Sequence, residues 1–319
     1  MAAGELVTLI GGSGFIGRYA TRALVAAGYK VRIASRSAKS PEALGLGEIA
    51  ADIESVSCDI KKPDTLGPAM EGAGAVVNLV GILFESGGQT FERTQEDGSR
   101  NVAQAAATAG VSRMVHVSAI GADASSKSSY GHTKAAAEKA VREALPEAVV
   151  LRPSIVFGPE DQFFNRFAEM AKFAPALPAI GGGKTKLQPI YVGDVAEAIV
   201  RSLESDQAAG KTIELGGPGV YTFNELYDFI FEHTGRKRLK APLPFTIAKP
   251  MGTAMASIFR VKSLVLGDLF GGPPITGDQV EMLKSDNVVT AGSLTLADLG
   301  IDNSKSIDEI VPDYLNQYR

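Results

Sequence analysis

Residues Leu6 to Gly17 read Leu-Val-Thr-Leu-Ile-Gly-Gly-Ser-Gly-Phe-Ile-Gly, and no other stretch limits the fold of this chain so sharply. An aliphatic run ends in glycines spaced Gly11-x-x-Gly14-x-x-Gly17, and the same residues satisfy Gly12-x-Gly14-x-x-Gly17. Ile16, Ala20, Ala23, Leu24 and Ala27 then recur on one helical face. Strand, glycine turn and helix in that order form a dinucleotide fingerprint. Glycine allows the tight turn and lets backbone approach a pyrophosphate, which rests on the helix N-terminus. Gly11, Ser13, Gly14, Phe15, Ile16 and Gly17 are therefore the first cofactor-binding candidates.

The 319 residues, 45% hydrophobic, suffice for one large domain or two joined ones. A formal charge of −4, with no basic block, argues against a nucleic-acid binder. The single cysteine, Cys58, fits a reducing compartment. His116, His132 and His233 are scattered, so no metal site is expected. A first strand starting by about Glu5 leaves no room for a signal peptide, and no apolar run approaches a membrane span. A cytoplasmic protein is expected.

The first 150 residues alternate strands and helices. Strands are expected at Lys30–Ser35, Glu54–Cys58, Ala75–Val80, Arg113–Ser118 and Ala148–Leu151, with helices over about Thr90–Ala109 and Ser129–Leu145. Phe163–Phe173 reads as a helix; Pro175, Pro178 and Gly181-Gly182-Gly183 read as a loop. Gly181 to Thr185 is no P-loop, because Pro178 stands where that motif needs glycine; a flexible surface turn is expected. Asp194 followed by Glu197 suggests a capping box, Thr212–Leu215 a further strand. The last hundred residues read as helices separated by Pro242, Pro244, Pro250, Pro273 and Pro274. The expected architecture is α/β: a doubly wound parallel Rossmann sheet with a smaller, mainly helical C-terminal substrate or cap domain. The NADP(H)-binding domain would span 1–160, joined by about 187–217, and the smaller one 161–186 and 218–319.

NAD-preferring folds of this kind place a carboxylate about 20 residues beyond the glycines to hold the adenosine ribose. Here that place reads Ala34-Ser35-Arg36-Ser37, with Lys39 beyond. A guanidinium pairs a 2′-phosphate where a carboxylate would repel it. Arg36 thus points to NADP(H) over NAD(H), although a solvated strand-end charge would look the same.

Tyr130 and Lys134 open a helix four residues apart, on one face, and Ser118 closes the fifth strand. A phenol of pKa about 10 is a poor acid or base at neutral pH. A neighbouring ammonium and the cationic nicotinamide would lower it. Tyr130 would then exchange a proton with a substrate oxygen, Lys134 would also hold the nicotinamide ribose, and Ser118 would orient a carbonyl. A packed aromatic is the competing reading of Tyr130.

Taken together the residues resemble the short-chain dehydrogenase/reductase superfamily in its extended or atypical branch. The resemblance rests on 11–17, Cys-Asp-Ile (58–60), Asn-Leu-Val-Gly (78–81), Asp-Gly-Ser-Arg-Asn (97–101), Tyr-Gly-His-Thr-Lys (130–134), Leu-Arg-Pro-Ser-Ile-Val-Phe-Gly-Pro (151–159) and Pro-Ile-Tyr-Val-Gly-Asp-Val-Ala (189–196). It implies that Asp59 and Ile60 meet adenine, that Leu79, Val80 and Gly81 line the cofactor, and that Pro153 and Ile155 pack near nicotinamide. Phrases such as Phe-Gly-Pro-Glu-Asp-Gln-Phe-Phe-Asn-Arg-Phe (157–167) and Gln-Pro-Ile-Tyr-Val-Gly-Asp-Val (188–195) are similar to the NADPH-binding accessory subunits of respiratory complex I and their bacterial relatives. That likeness implies a tightly held nucleotide in a structural or assembly role, linked to complex I or quinone metabolism. Two departures from active members stand out: Ala119 where a second serine is usual, and Gln95 in place of a helix asparagine.

Phe245, Ile247, Met251, Met255, Ile258, Phe259, Leu264, Leu266 and Leu269 crowd one proline-bounded stretch with few charges, among them Lys249, Arg260 and Lys262. It reads as a cap over the cleft, or as a surface at about 243–270 for a respiratory partner or a membrane. Glu160, Asp161 and Gln162 either reach substrate or cap the following helix.

Overall fold

The computed structural model describes residues 4–266, 272–273 and 275–319, and only the backbone of 261–266. Lys262, Leu264 and Leu266, as side chains, and Leu269 and Pro274 therefore lie outside the described residues. Strands β1 (Leu6–Ile10), β2 (Lys30–Ser35), β3 (Ile53–Ser57) and β4 (Ala75–Asn78) accompany helices α1 (Phe15–Ala26) and the short α2 (Gly67–Met70). Then come α3 (Asp97–Thr108), β5 (Arg113–Val117), α4 (Ser129–Ala144), β6 (Val149–Pro153), β7 (Val156–Phe157) and α5 (Phe164–Phe173). Beyond them run β8 (Ala176–Ile180), β9 (Lys186–Leu187), β10 (Ile190–Tyr191), α6 (Val192–Glu204), β11 (Thr212–Leu215) and β12 (Tyr221–Thr222). The chain ends with α7 (Phe223–Thr234), β13 (Leu239–Leu243), α8 (Phe245–Leu266), α9 (Gly277–Met282) and α10 (Ile307–Leu315).

Seven parallel strands form the central sheet in the order β11-β6-β5-β4-β1-β2-β3. Their residues alternate between two buried faces, as helix-covered parallel strands must. Val7, Leu9, Val31, Ile33, Val77 and Val115 enter one core with Leu24 of α1 and Ile199 of α6. Ile10, Ala34, Val76 and Met114 enter the other with Val102 and Ala106 of α3 and Val141 of α4. Strand order reverses between β1 and β4, the place where sheets of this kind form a ligand crevice beyond the strands' carboxyl ends. A third core, rich in aromatic rings, joins α5, α7 and α10 through Phe157, Phe164, Phe223, Tyr227 and Val311.

Several expectations need correction. The stretch expected to be a loop at Pro175–Gly183 holds β8, which pairs in parallel with β13. Pro178 and Pro242 are tolerated because this is a two-stranded sheet, whose strands each keep a free edge. Pro250 lies inside α8 and Pro312 inside α10, so the prolines do not simply separate helices. The glycine turn at 181–183 is not a flexible surface loop: Gly183 and Thr185 are buried, and Thr185 Oγ1 donates to Leu283 O at 2.5 Å. No capping box starts α6; Asp194 instead accepts from Lys305 N at 2.8 Å. The helix expected from Thr90 begins with a π-turn at Glu92–Glu96 before α3.

Candidate functional site

At the crevice, the glycine turn is dictated by contact. Gly11 has φ +82°, and a Cβ there would lie 3.0 Å from Val80 Cγ2, beyond β4. A Cβ on Gly17 would fall 2.4 Å from Gly12 O, so α1 rests directly on the turn. Gly14 occupies the N-cap of α1 without a side-chain cap, and the first turn carries no acid. Its N–H groups are thus left for an anion, as a pyrophosphate requires. Ser13 and Ile16 are half-buried beside them, whereas the Phe15 ring packs edge-on to Tyr19 at 5.8 Å and against Gly158. Arg18 is drawn away from the turn by Glu160 at 3.4 Å.

Around this cradle the other cofactor candidates divide. Arg36 is exposed just past β2 with no ion-pair partner among the described residues, and buried Ser35 Oγ beside it has no hydrogen-bond partner. Asp59 is half-buried and turned back to Lys61 N at 3.1 Å, while Ile60 is buried against Gly98. Ile60 therefore offers backbone, not side chain, to any ligand. Leu79 and Val80 are half-buried, Val80 N donating to Asn78 Oδ1 at 3.1 Å, and Gly81 is exposed. Pro153 is buried at the end of β6; Ile155 is half-buried beyond it. These features suit a dinucleotide: a Cβ-free cradle, uncapped amides, an unpaired cation and an orphaned hydroxyl at the adenosine end.

Tyr130 and Lys134 share one face of α4, with Lys134 Nζ 5.9 Å from the phenol ring centre. Nζ is buried, donates to Val117 O at 3.1 Å and would lie 3.2 Å from a Cβ on Gly81, so the glycine lets that ammonium lie close against the turn after β4. Burial lowers the Lys134 pKa to about 8, against the opposing pull of Glu138. Tyr130 packs edge-on to Phe91 at 5.9 Å, and burial, then the charge of Asp278, push its phenol up to about 12. Ser118 is the exception. Its Oγ donates to Glu138 Oε1 at 2.5 Å, and Glu138 also holds Arg152 at 2.9 and 2.7 Å. That hydroxyl is committed to α4 and β6 instead of pointing to a substrate oxygen.

Two further groups shape the site. Asp278 of α9 accepts from Ser129 N at 2.6 Å, Ser128 Oγ at 2.8 Å and Tyr130 N at 3.1 Å, fastening the C-terminal segment onto the start of α4. Fully buried His116 meets Asn78 Nδ2 through Nδ1 at 3.3 Å; its Nε2 and Gln95 Oε1 have no partner among the described residues. Burial, then Lys134, lowers the His116 pKa to about 3. Neither group carries a local sequence signal. Asp161, in turn, accepts from Phe163 N at 2.8 Å and Tyr314 OH at 2.5 Å, which settles it as a loop and helix anchor.

Residues 7–216 match the NAD dependent epimerase/dehydratase family. The chain belongs to that family. It is 36% identical over 99% of its length to the NADH dehydrogenase [ubiquinone] 1 alpha subcomplex subunit 9, mitochondrial, of Arabidopsis thaliana, covering 78% of that protein. The corresponding subunit of Mus musculus is 34% identical over 93% of this chain and 76% of its own length. A ceramide reductase of Caulobacter vibrioides is 31% identical over 61% of the chain and 60% of the reductase. Among solved structures, DesIV, a dTDP-glucose 4,6-dehydratase of Streptomyces venezuelae with NAD and TYD bound, superposes with TM-score 0.72 at 20% identity, covering 98% and 97% of the two chains. That likeness shows a shared α/β fold along nearly the whole chain. Within the described residues no helix is long and apolar enough to cross a membrane.

Proposed function

We propose that this family member binds NADP(H) in preference to NAD(H) and keeps the nucleotide as a resident part of its structure, in support of a larger redox assembly. The observation that carries this reading is an asymmetry. The first turn of α1 is left uncapped, as a nucleotide would need, whereas Ser118 is tied to Glu138 and burial pushes the Tyr130 phenol up to about 12. Arg36, with no carboxylate at the end of β2, favours the 2′-phosphate. Relatives named as subunits of NADH dehydrogenase support the assembly role. Exposed Ile247, Met251 and Ile258 recur on one face of α8 and would give the docking surface within 243–270. The protein would then lie peripherally at the inner face of a respiratory membrane.

A second reading, an active oxidoreductase, epimerase or dehydratase for a hydroxyl or carbonyl compound, rests on Lys134 and Tyr130 sharing one face of α4, with Lys134 close against Gly81. Bound nicotinamide would supply or accept hydride there. Lys134 would hold the ribose hydroxyls and Tyr130 would pass a proton at its phenolic oxygen. Thermal unfolding separates the cofactors: NADPH at about 100 times its Kd should add about 2.7 kcal/mol of stability, and the same concentration of NADH clearly less. Equal protection by both refutes the preference. Consumption of the bound nucleotide by a metabolite extract would favour the enzyme.

A further inference from the structure

Charge along the chain is less even than its total suggests. Four of the five residues from Arg236 to Lys240 are basic, and the fifth, Leu239, is 73% exposed. Leu239 opens β13, and its N–H donates to Pro175 O at 3.1 Å. Just before Pro175, α5 ends on Phe173, 81% exposed. Arg238 Nε joins the two segments by donating to Ala171 O at 2.7 Å. The two large apolar side chains thus project from adjoining backbone, although water contact disfavours both.

Three of the cations beside them lack acidic partners among the described residues. Arg236 donates to Tyr318 O at 2.9 Å, and Arg236, Lys237 and Arg238 form no ion pair among the described residues. The nearby acids Asp228 and Glu169 are already engaged, with Lys240 at 2.7 Å and Lys172 at 3.5 Å; Glu232 on the last turn of α7 remains. Protruding apolar groups set among uncompensated cations suit a surface that is apolar within and anionic outside.

We propose that Phe173 and Leu239, with Arg236, Lys237 and Arg238, form a docking point for an anionic lipid surface. It deepens the peripheral placement proposed above by naming the face that meets the bilayer. The chain contains no tryptophan, so Phe173→Trp supplies a single fluorophore at the insertion point. With vesicles of equimolar phosphatidylcholine and phosphatidylserine its emission should move to shorter wavelength and the protein should sediment. Neither should happen with phosphatidylcholine alone, and high salt should reverse both. Lys237→Glu should weaken partitioning more than about five-fold, the effect of one cation, and Phe173→Asp should abolish it in a chain that melts normally. Unshifted emission, equal binding to both vesicle types, or undiminished binding by Phe173→Asp overturns the proposal. Nucleotide protection, measured without vesicles, reports separately on the reading of the cofactor site.

Discussion

The two ends of the crevice are built on opposite plans. At the first turn of α1 the amides of Phe15, Ile16 and Gly17 have no partner among the described residues, and Arg36 forms no ion pair there. At the start of α4 the polar groups are occupied: Ser118 by Glu138, the helix N-terminus by Asp278, and Lys134 in part by Val117 O. An anion can dock at the first end without displacing anything. At the second end, chemistry would first have to disturb existing bonds or draw a proton from a phenol near pKa 12. On the proposed reading, a dinucleotide fold keeps its binding half while its reacting half serves the structure.

The largest effect should come from breaking the occupied end. Glu138→Ala removes the acceptor of Ser118 and leaves Arg152 only Glu214 at 3.7 Å, and should cost about 3 kcal/mol or more in denaturant unfolding, as for other buried charge-assisted networks. A loss below about 1 kcal/mol, typical of surface pairs, would mean that Ser118 is not held as described. Next comes the open end. Arg36→Asp should remove one charge-assisted bond and weaken NADPH by about 1.5–3 kcal/mol, with NADH nearly unaffected; calorimetric titration of both nucleotides reads this directly.

A smaller effect is set by pH. His116 titrates near 3 in the fold against an ordinary 6.5. Between those values the unfolded chain holds the extra proton, so stability is present above pH 6.5 and is lost as pH falls through the window. The slope is about 1.4 kcal/mol per pH unit for one proton. His116→Gln should flatten the acid limb by that slope; an unchanged limb removes His116 from the account. Smallest of all, Tyr130→Phe should alter NADPH affinity no more than about two-fold, the range of a substitution that breaks no key contact. If turnover exists, the same change should cut it by about 10²–10⁴-fold.

What the sequence makes legible follows the range of the forces involved. Lys30–Ser35 and Thr212–Leu215 are readable to the residue, because short β-branched runs and the glycine spacing are local signals. The committed state of Ser118 is not, since its partner lies 20 residues away on another element. Asp278 meets Tyr130 across 148 residues, a contact that no window reveals. Pro175 to Gly183 misleads for a different reason: proline argues against a strand only where its missing N–H is needed, and β8 and β13 pair on one side only.

On the proposed reading the nucleotide belongs to the folded protein. Purified protein should therefore be denatured and the released small molecules identified and counted. About one NADP(H) per chain, retained through purification, is the result expected for a tightly bound ligand. Recovery of NAD(H), or of no nucleotide from protein that then binds NADPH weakly, would contradict it.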